Sequence, residues 1–287
     1  MNNNSLQKVL LLSSILACTS VLAEGFVPLP NTGFQVGNGD DQYISSYTLC
    51  NLTGEFGIDE EGSTPPTFGA NGAHNTCAID KIPEGYTQIN SVSRKIVLST
   101  LNKRNRPTKV TVGVAMDRVW RNSQTSSCLY GVKIRLNNVD ADPRRPSKQY
   151  FEINDIVRGG FDGQSPEIAY WYTANADEVV YRAGLTFTSL VFDPATESDA
   201  QPPVAEAAID ANWINFSTDL NYRDEDGSSF RDSPWLLVKG MCGADETFKE
   251  SEGALRFRQM GQEDQPQIEI PVKGFAPAAA DTSDPSS

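Results

Sequence analysis

The stretch TKVTVGVAM, residues 108–116, carries the pattern that decides the fold. Its valines stand at every second position, so in an extended chain Val110, Val112 and Val114 fall on one face. Residues 132–136, VKIRL, repeat the pattern, with three apolar side chains on one face and a lysine and an arginine on the other. A period of two is typical of strands that bury one face.

Segments of this kind recur along the chain. Eleven runs combine β-branched or aromatic residues with alternation, and Gly, Pro, Asn or Asp separates them. No run has a convincing helical period. The sequence therefore predicts an all-β fold, an antiparallel β-sandwich or jelly roll of about ten strands, in a single domain over residues 43–275. The composition of residues 24–42 predicts a linker or irregular segment, and that of residues 276–287 predicts a disordered acidic tail.

The N-terminus predicts export. Lys8 precedes an apolar run, and Val21 and Ala23 place small or apolar residues at positions −3 and −1 of a cut before Glu24. This arrangement is typical of a signal peptide, here residues 1–23. The alternative is a lipoprotein signal in which ILAC is the lipobox and Cys18 carries the lipid. In both cases we expect a secreted, cell-surface or periplasmic protein whose mature form has no transmembrane segment.

Besides Cys18, the chain has four cysteines, Cys50, Cys77, Cys128 and Cys242. An even number in an oxidising compartment predicts a fold stapled by disulfide bonds. Of the three possible pairings we favour Cys50–Cys77 with Cys128–Cys242, because the first pair closes a short loop rich in Gly and Pro. A thiolate metal site is the alternative, although the sequence contains no Cys-x-x-Cys.

The charge of the chain argues against two classes of partner. Lys and Arg number 24 and Asp and Glu 37, which gives a net charge of -13. Such a chain repels phosphate backbones and anionic lipid headgroups. We therefore expect neither nucleic acid nor a membrane surface as a partner.

His74 is the only histidine in the chain. A hydrolytic zinc site commonly takes two or more imidazoles, and the chain has no Gly-x-Ser-x-Gly motif that would point to a nucleophilic serine. Gly72, Asn75 and Cys77 surround His74 with the composition of a turn that leads into a disulfide. We interpret His74 as a loop residue, with a single contact to a metal ion as the alternative.

Residues 220–234 hold a candidate calcium site. Asp224, Asp226 and Ser228 stand at alternate positions, and on a turn their oxygens can converge on a hard cation. An EF-hand loop counted from Asp224 requires a glycine and a glutamate where this chain has Ser229 and Trp235. The alternative is a solvated turn between two strands.

An aromatic row, Tyr170, Trp171 and Tyr172, is the candidate ligand surface. In a strand Tyr170 and Tyr172 share one face, and such rings can stack on a sugar. The alternative is burial on both sides of a sheet. Sugar hydrolysis would require two carboxyl groups roughly 5–10 Å apart. Asp155 and Glu167 are among the available acids, but no compact acidic motif is present, so we do not expect catalysis.

Three stretches resemble a known family. They are CLYGVKIRLN from residue 128, EINDIVRGGF from residue 152 and YRAGLTFTSL from residue 181. Across residues 77–195 the chain resembles the copper-repressible, surface-associated copper-binding proteins of methane-oxidising bacteria. The resemblance implies an exported β-rich protein that binds copper through histidines and an oxidised tryptophan. Trp120 and Trp171 both lie in the similar region and both are candidates for that tryptophan, whereas His74 alone cannot supply the family's histidines.

Together these observations predict an exported, non-catalytic binding protein at the cell surface or in the periplasm. Its expected ligand is a metal ion, with copper first and calcium second. The alternatives are a carbohydrate- or protein-binding β-sandwich module and, after that, a glycosidase of sandwich architecture.

Overall fold

A computed structural model describes residues 25–36, 42–50, 76–173, 180–187, 208–223, 230–242, 248–260 and 267–277. These residues form strands and connecting turns without a helix, so the all-β prediction is confirmed. None of the described segments is a helix with the length and apolar character needed to span a bilayer. The predicted signal peptide, Cys18 included, lies outside the described residues, as does the tail beyond residue 277.

The strands in chain order are β1 (Val27–Pro28), β2 (Phe34–Val36), β3 (Tyr43–Ser45), β4 (Tyr47–Leu49), β5 (Ala78–Ile79), β6 (Thr87–Leu101), β7 (Pro107–Asn122), β8 (Ser127–Leu136), β9 (Ile153–Gly159), β10 (Glu167–Trp171), β11 (Val180–Leu185), β12 (Trp213–Leu220), β13 (Trp235–Met241), β14 (Lys249–Met260) and β15 (Gln267–Ala276). The described part of the chain thus contains more strands than the expected ten. The additional strands are two or three residues long, too short to show a period.

The strands form two large sheets. The first sheet has the order β1-β10-β13-β8-β7-β6, with β5 pairing in parallel with β10, and the second has the order β15-β14-β9-β12-β11-β4. Their remaining pairings are antiparallel, and β2 and β3 form a separate ribbon. Apolar residues of both large sheets contribute to one buried cluster, which includes Ile134 and Phe216. The antiparallel β-sandwich is therefore confirmed.

A β-bulge corrects part of the expected alternation in β7. Ile96 pairs with Gly113 and Val97 with Thr111, so Val112 is the additional residue on β7. Val112 is buried in the core and Val110 packs against it, but Val114 leaves that face. A bulge shifts the side-chain pattern by one residue, because two residues on one strand oppose one on the other. The expectation that all three valines share a face is therefore wrong.

The first residues of the chain that the structure describes are paired with the sandwich. Val27 pairs with Ile168 across β1 and β10, and Leu29 is buried in the core. The segment 24–42, expected to be a linker or irregular, therefore contributes β1 to the first sheet and β2 to the ribbon. Apolar residues at alternate positions allow this pairing despite the Gly and Pro content.

Both favoured disulfides are present. The Cys50–Cys77 bond joins the chain after β4 in the second sheet to the chain before β5 in the first. The Cys128–Cys242 bond joins β8 to the residue that follows its neighbour β13. The predicted pairing is confirmed.

A buried ion pair crosses the sandwich between its two sheets. Arg158 on β9 donates from Nη2 to Asp117 Oδ1 on β7 at 2.7 Å and from Nη1 to the carbonyl oxygen of Phe275 at 2.6 Å. The backbone N–H of Phe275 donates to Asp117 Oδ2 at 2.7 Å. The two charged side chains are 2% and 0% exposed. This group fixes β7, β9 and β15 to each other through hydrogen bonds and leaves both charges paired.

Candidate functional site

The predicted metal ligands fall into two groups. His74, Asp224, Asp226 and Ser228 lie outside the described residues, so copper at His74 and calcium at the acidic turn stay predictions. Within the described ranges no group of three or more His, Cys, Asp or Glu side chains could hold a metal ion.

The two candidate tryptophans lie together on the outer face of the first sheet. Trp120 is buried there in an apolar cluster with Trp235, whose ring it meets edge to face at 5.5 Å, and Trp171 packs against that cluster. A side chain at position 131 would collide with the Trp120 ring, which explains Gly131 beneath it. Trp120 is buried and Trp171 is partly buried, and packing in this cluster accounts for both positions.

Tyr170 and Tyr172 are in contact, as their shared face predicts, with ring centroids 5.2 Å apart. Tyr170 is fully buried in the core, where burial raises the pKa of its hydroxyl above the ordinary value, and Tyr172 packs against that core. A ring with no exposed surface is not available to stack on a sugar. The Tyr170 ring is unavailable to a ligand because its face of β10 lies in the core shared by the two sheets. Tyr172 is partly exposed, so its predicted ligand-binding role stays a prediction.

The carboxylates considered for sugar hydrolysis are also engaged. Glu167 forms a 2.8 Å ion pair with Lys239 on the neighbouring strand β13. Asp155 on β9 is fully buried and accepts hydrogen bonds at Oδ1 from Asn215 Nδ2 (3.0 Å) and Ser217 Oγ (3.1 Å). Asp155 Oδ2 is buried without a hydrogen-bond partner. Desolvation raises the pKa of Asp155 to about 6, against the opposing effect of the Asn215 hydrogen bond and of nearby arginines.

The raised pKa of Asp155 predicts a stability profile with a definite sign. The folded protein holds this proton more tightly than the unfolded chain, so the free energy of unfolding should fall as pH rises from about 4 to about 6. The loss is about 3 kcal/mol, because a tenfold change in proton affinity corresponds to about 1.4 kcal/mol. Asp155→Asn keeps an acceptor for Asn215 and Ser217 and should remove this part of the profile in denaturant unfolding measured at several pH values. Asp80→Asn, at an exposed carboxylate, is the control and should keep the wild-type pH profile. An unchanged profile in Asp155→Asn would contradict the assignment of the raised pKa to Asp155.

An open cavity lies at one end of the sandwich. We call it the end cleft; it has a volume of about 220 Å³ and lies between the last residues of β6, the 137–152 loop and the β14–β15 ends. Leu98, Ala141 and Phe151 are buried and Ile268 is partly buried, and these side chains give the end cleft an apolar lining. The C-terminal ends of β6 and β8 lie at the same end of the first sheet, because both strands pair antiparallel with β7. In the second sheet the N-terminal end of β9 lies beside the C-terminal end of β14. Four separate parts of the chain thus build one cavity.

The rim of the end cleft is polar and cationic. Among the residues that line this rim, Arg144 and Arg145 are exposed, whereas Gln149 and Tyr150 are partly buried. Asp142 accepts from Arg144 Nε at 2.6 Å and from Arg144 Nη2 at 2.8 Å. The hydrogen bond from Arg144 lowers the pKa of Asp142, so this carboxylate stays ionised near neutral pH. The pair fixes the direction of the Arg144 guanidinium.

The 137–152 loop has its own supporting contacts. The backbone N–H of Ala141 donates to the Gln149 carbonyl oxygen at 2.7 Å, and the N–H of Gln149 donates to Asp140 Oδ1 at 3.2 Å. The Tyr150 ring stacks on Tyr222, with centroids 5.5 Å apart. These contacts hold the polar rim over the apolar lining. The arrangement can bind a small molecule that has an apolar face and an anionic group.

Comparison with known proteins gives no assignment: no family model, no curated protein and no solved structure matches this chain. The resemblance to copper-binding proteins therefore stays a prediction that rests on the three stretches that carry it.

Sequence reasoning missed the end cleft. The available signal was the charge of two segments, 101–109 with four cations and no anion, and 142–148 with three cations and one anion. In a chain of net charge -13, sixteen residues that hold seven of the 24 cations are a marked local excess. That signal identifies the segments, but only the strand order shows that they lie at the same end of the sandwich.

Proposed function

We propose that this chain is an exported, non-catalytic binding protein and that the end cleft takes a sugar acid or a small molecule of the same character. The observation that carries the proposal is the combination, in one cavity, of an apolar lining with a rim of Arg144 and Arg145. The two disulfides support an oxidising compartment outside the cytoplasm. This is the carbohydrate-binding alternative of the sequence, at a location different from the aromatic row.

The size of the end cleft supports a ligand group of about one ring. Sites for drug-sized ligands span roughly 300–1,000 Å³. The end cleft has about 220 Å³, so it is smaller than those sites. Ser99, Thr100 and Gln149 line it with hydroxyl and amide groups that can pair with sugar hydroxyls, and the arginines can pair with a carboxylate.

The carboxylate of a ligand would compete with Asp142 for Arg144. Substitutions of these two residues should therefore change the ligand affinity in opposite directions. Arg144→Gln should weaken binding of galacturonate or its short oligomers about tenfold or more, because a hydrogen bond to a charged group is worth about 1.5–3 kcal/mol. Asp142→Asn should strengthen binding about threefold, because it removes the competing charge and keeps an oxygen near the Arg144 backbone N–H. Chemical-shift titration or calorimetry measures both variants.

The control is Lys81→Gln. Lys81 is an exposed cation that follows β5, and β5 pairs with β10 near the edge of the first sheet opposite β6. The Lys81→Gln variant should bind galacturonate and its short oligomers with the affinity of the wild type. Equal affinity of Arg144→Gln, Lys81→Gln and the wild type would remove the end cleft as the binding site.

A further inference from the structure

A second cavity adjoins the end cleft. We call it the tip groove; it has a volume of about 380 Å³ and is lined by residues 99–101 at the end of β6 and 107–109 at the start of β7. Residues 99–101 also line the end cleft. The two cavities therefore share the last residues of β6 as lining, and Lys109 adds a cation to the lining of the tip groove.

The turn between β6 and β7 is an ordered structure that carries cations. Asn102 Oδ1 accepts from the backbone N–H of Arg104 at 2.9 Å and of Arg106 at 3.2 Å. The N–H of Asn105 donates to the Asn102 carbonyl oxygen at 2.8 Å, and Asn105 has a φ of 53°, a conformation that asparagine tolerates. The side chain of Asn102 thus fixes the backbone from which Lys103, Arg104 and Arg106 project.

The cations of this turn, and Lys109 near the start of β7, are exposed and have no ion pair among the described residues. Lys103, Arg104, Arg106 and Lys109 are all exposed, and no ion pair joins any of them to a carboxylate within the described part of the chain. Elsewhere in the same protein an exposed cation does have such a partner, as Lys81 has Glu84. Three cations in the turn and a fourth, Lys109, near the start of β7 repel each other, and an external anion that lies along them relieves this repulsion.

We propose that the end cleft and the tip groove form one continuous track for an acidic polysaccharide, with one acidic sugar in the end cleft and the following sugars along Lys109, Arg106, Arg104 and Lys103. This inference rests on the proposed function, because the end cleft supplies the first subsite. A lone sugar acid reaches only the arginines of the end cleft. A chain of sugar acids also reaches the turn, and each further cation adds electrostatic attraction and displaces counterions from the polymer.

Three features favour a polysaccharide over other polyanions. The end cleft offers hydroxyl and amide groups beside an apolar lining, which suits the edges and face of a sugar ring. Two disulfides point to a compartment outside the cytoplasm, away from most nucleic acid. A net charge of -13 also repels an extended membrane surface, whereas a single flexible chain can follow the basic strip alone.

The experiment compares galacturonate with a linear oligomer of six galacturonate residues, on the full exported chain. In the wild type the oligomer should bind at least about tenfold more tightly than the monomer. Lys103→Gln with Arg106→Gln should weaken oligomer binding about tenfold, leave monomer binding unchanged and lower the slope of log affinity against log salt by about two. Both substitutions lie on an exposed turn whose backbone depends on Asn102, so thermal unfolding should not change.

The control removes two cations elsewhere, the exposed Lys81 and the partly buried Lys273, as Lys81→Gln with Lys273→Gln, and should change oligomer affinity by less than about twofold. If monomer and oligomer bind equally and only Arg144→Gln weakens them, the track is wrong and the proposed function stands. If neither probe binds, both are wrong. Tighter binding of single-stranded DNA or of phosphatidylglycerol vesicles than of the oligomer, with loss in the Lys103 and Arg106 variant, would overturn the assignment to a polysaccharide.

Discussion

Replacing Asp117 with alanine is expected to lower the free energy of unfolding by about 3–5 kcal/mol, because the substitution leaves a charged guanidinium buried without its partner. Arg158 is among the largest fully buried side chains, and only Asp117 pairs with its charge among the described residues. The substitution also removes the acceptor of the Phe275 N–H. Guanidinium-induced unfolding, followed by tryptophan fluorescence, measures the loss.

A double variant separates the charge from the packing. Asp117→Leu combined with Arg158→Met removes both charges and replaces them with apolar side chains, a change that is often neutral or stabilising for buried pairs. We expect it to recover most of the stability that Asp117→Ala loses. The stability of Asp117→Asn should lie between those of Asp117→Ala and the double variant, because asparagine keeps an oxygen acceptor for the Phe275 N–H but not the charge. A loss under about 1 kcal/mol for Asp117→Ala would contradict a paired and desolvated Arg158.

This ion pair shows where sequence reasoning ends. In residues 153–159, INDIVRG, the two-residue period places Arg158 on the face of Ile156, which is the core face. A charged residue at such a position breaks the apolar alternation, and its burial is tolerated only when an opposite charge pairs with it. The partner lies 41 residues away on a strand of the other sheet, and nothing local in the sequence indicates it. The same violation occurs at Asp117, so two irregular positions in two strong strands were the only clue.

The fold could be predicted because long strands repeat one simple pattern. β6, β7 and β8 have ten to sixteen residues each, enough for alternation to outweigh local exceptions. β1 and β5 have two residues each and are strands only because β10 offers them partners. The bulge at Val112 escaped prediction for a related reason, since a bulge depends on the register of two strands.

The candidate site was less predictable than the fold. Its residues come from 98–101, 141–151, Gln259 and Ile268, so no single motif contains them. The aromatic row was the more conspicuous signal, yet Tyr170 is buried because it projects from the face of β10 that packs in the core shared by the two sheets. Aromatic residues indicate a binding surface only where the fold leaves them exposed. A charged loop such as 142–148 favours solvent exposure whatever the strand order, so its charge is the better signal.

Removing the Cys128–Cys242 disulfide is expected to cost about 5 kcal/mol, and removing Cys50–Cys77 about 3.5 kcal/mol. Their sequence separations are 114 and 27 residues, and in the chain-entropy model a longer closed loop restricts the unfolded chain more. All four cysteines are buried, so paired alanine substitutions create comparable changes in packing at both sites. Denaturant unfolding of the two double variants gives the comparison.

The order of the two losses decides what each bond contributes. Cys128–Cys242 joins adjacent strands that already share a ladder of backbone hydrogen bonds from Met241 to Leu236, so its contribution should come mainly from the unfolded chain. Cys50–Cys77 joins the two sheets, and the described hydrogen bonds across this junction come from two residues only. The Thr76 N–H and hydroxyl donate to the carbonyl oxygens of Cys50 and Leu49, and the Tyr170 hydroxyl donates to the Cys50 carbonyl oxygen. A larger loss at Cys50–Cys77 than at Cys128–Cys242 would contradict the loop-length argument and show that holding the sheets together in the folded state outweighs restriction of the unfolded chain.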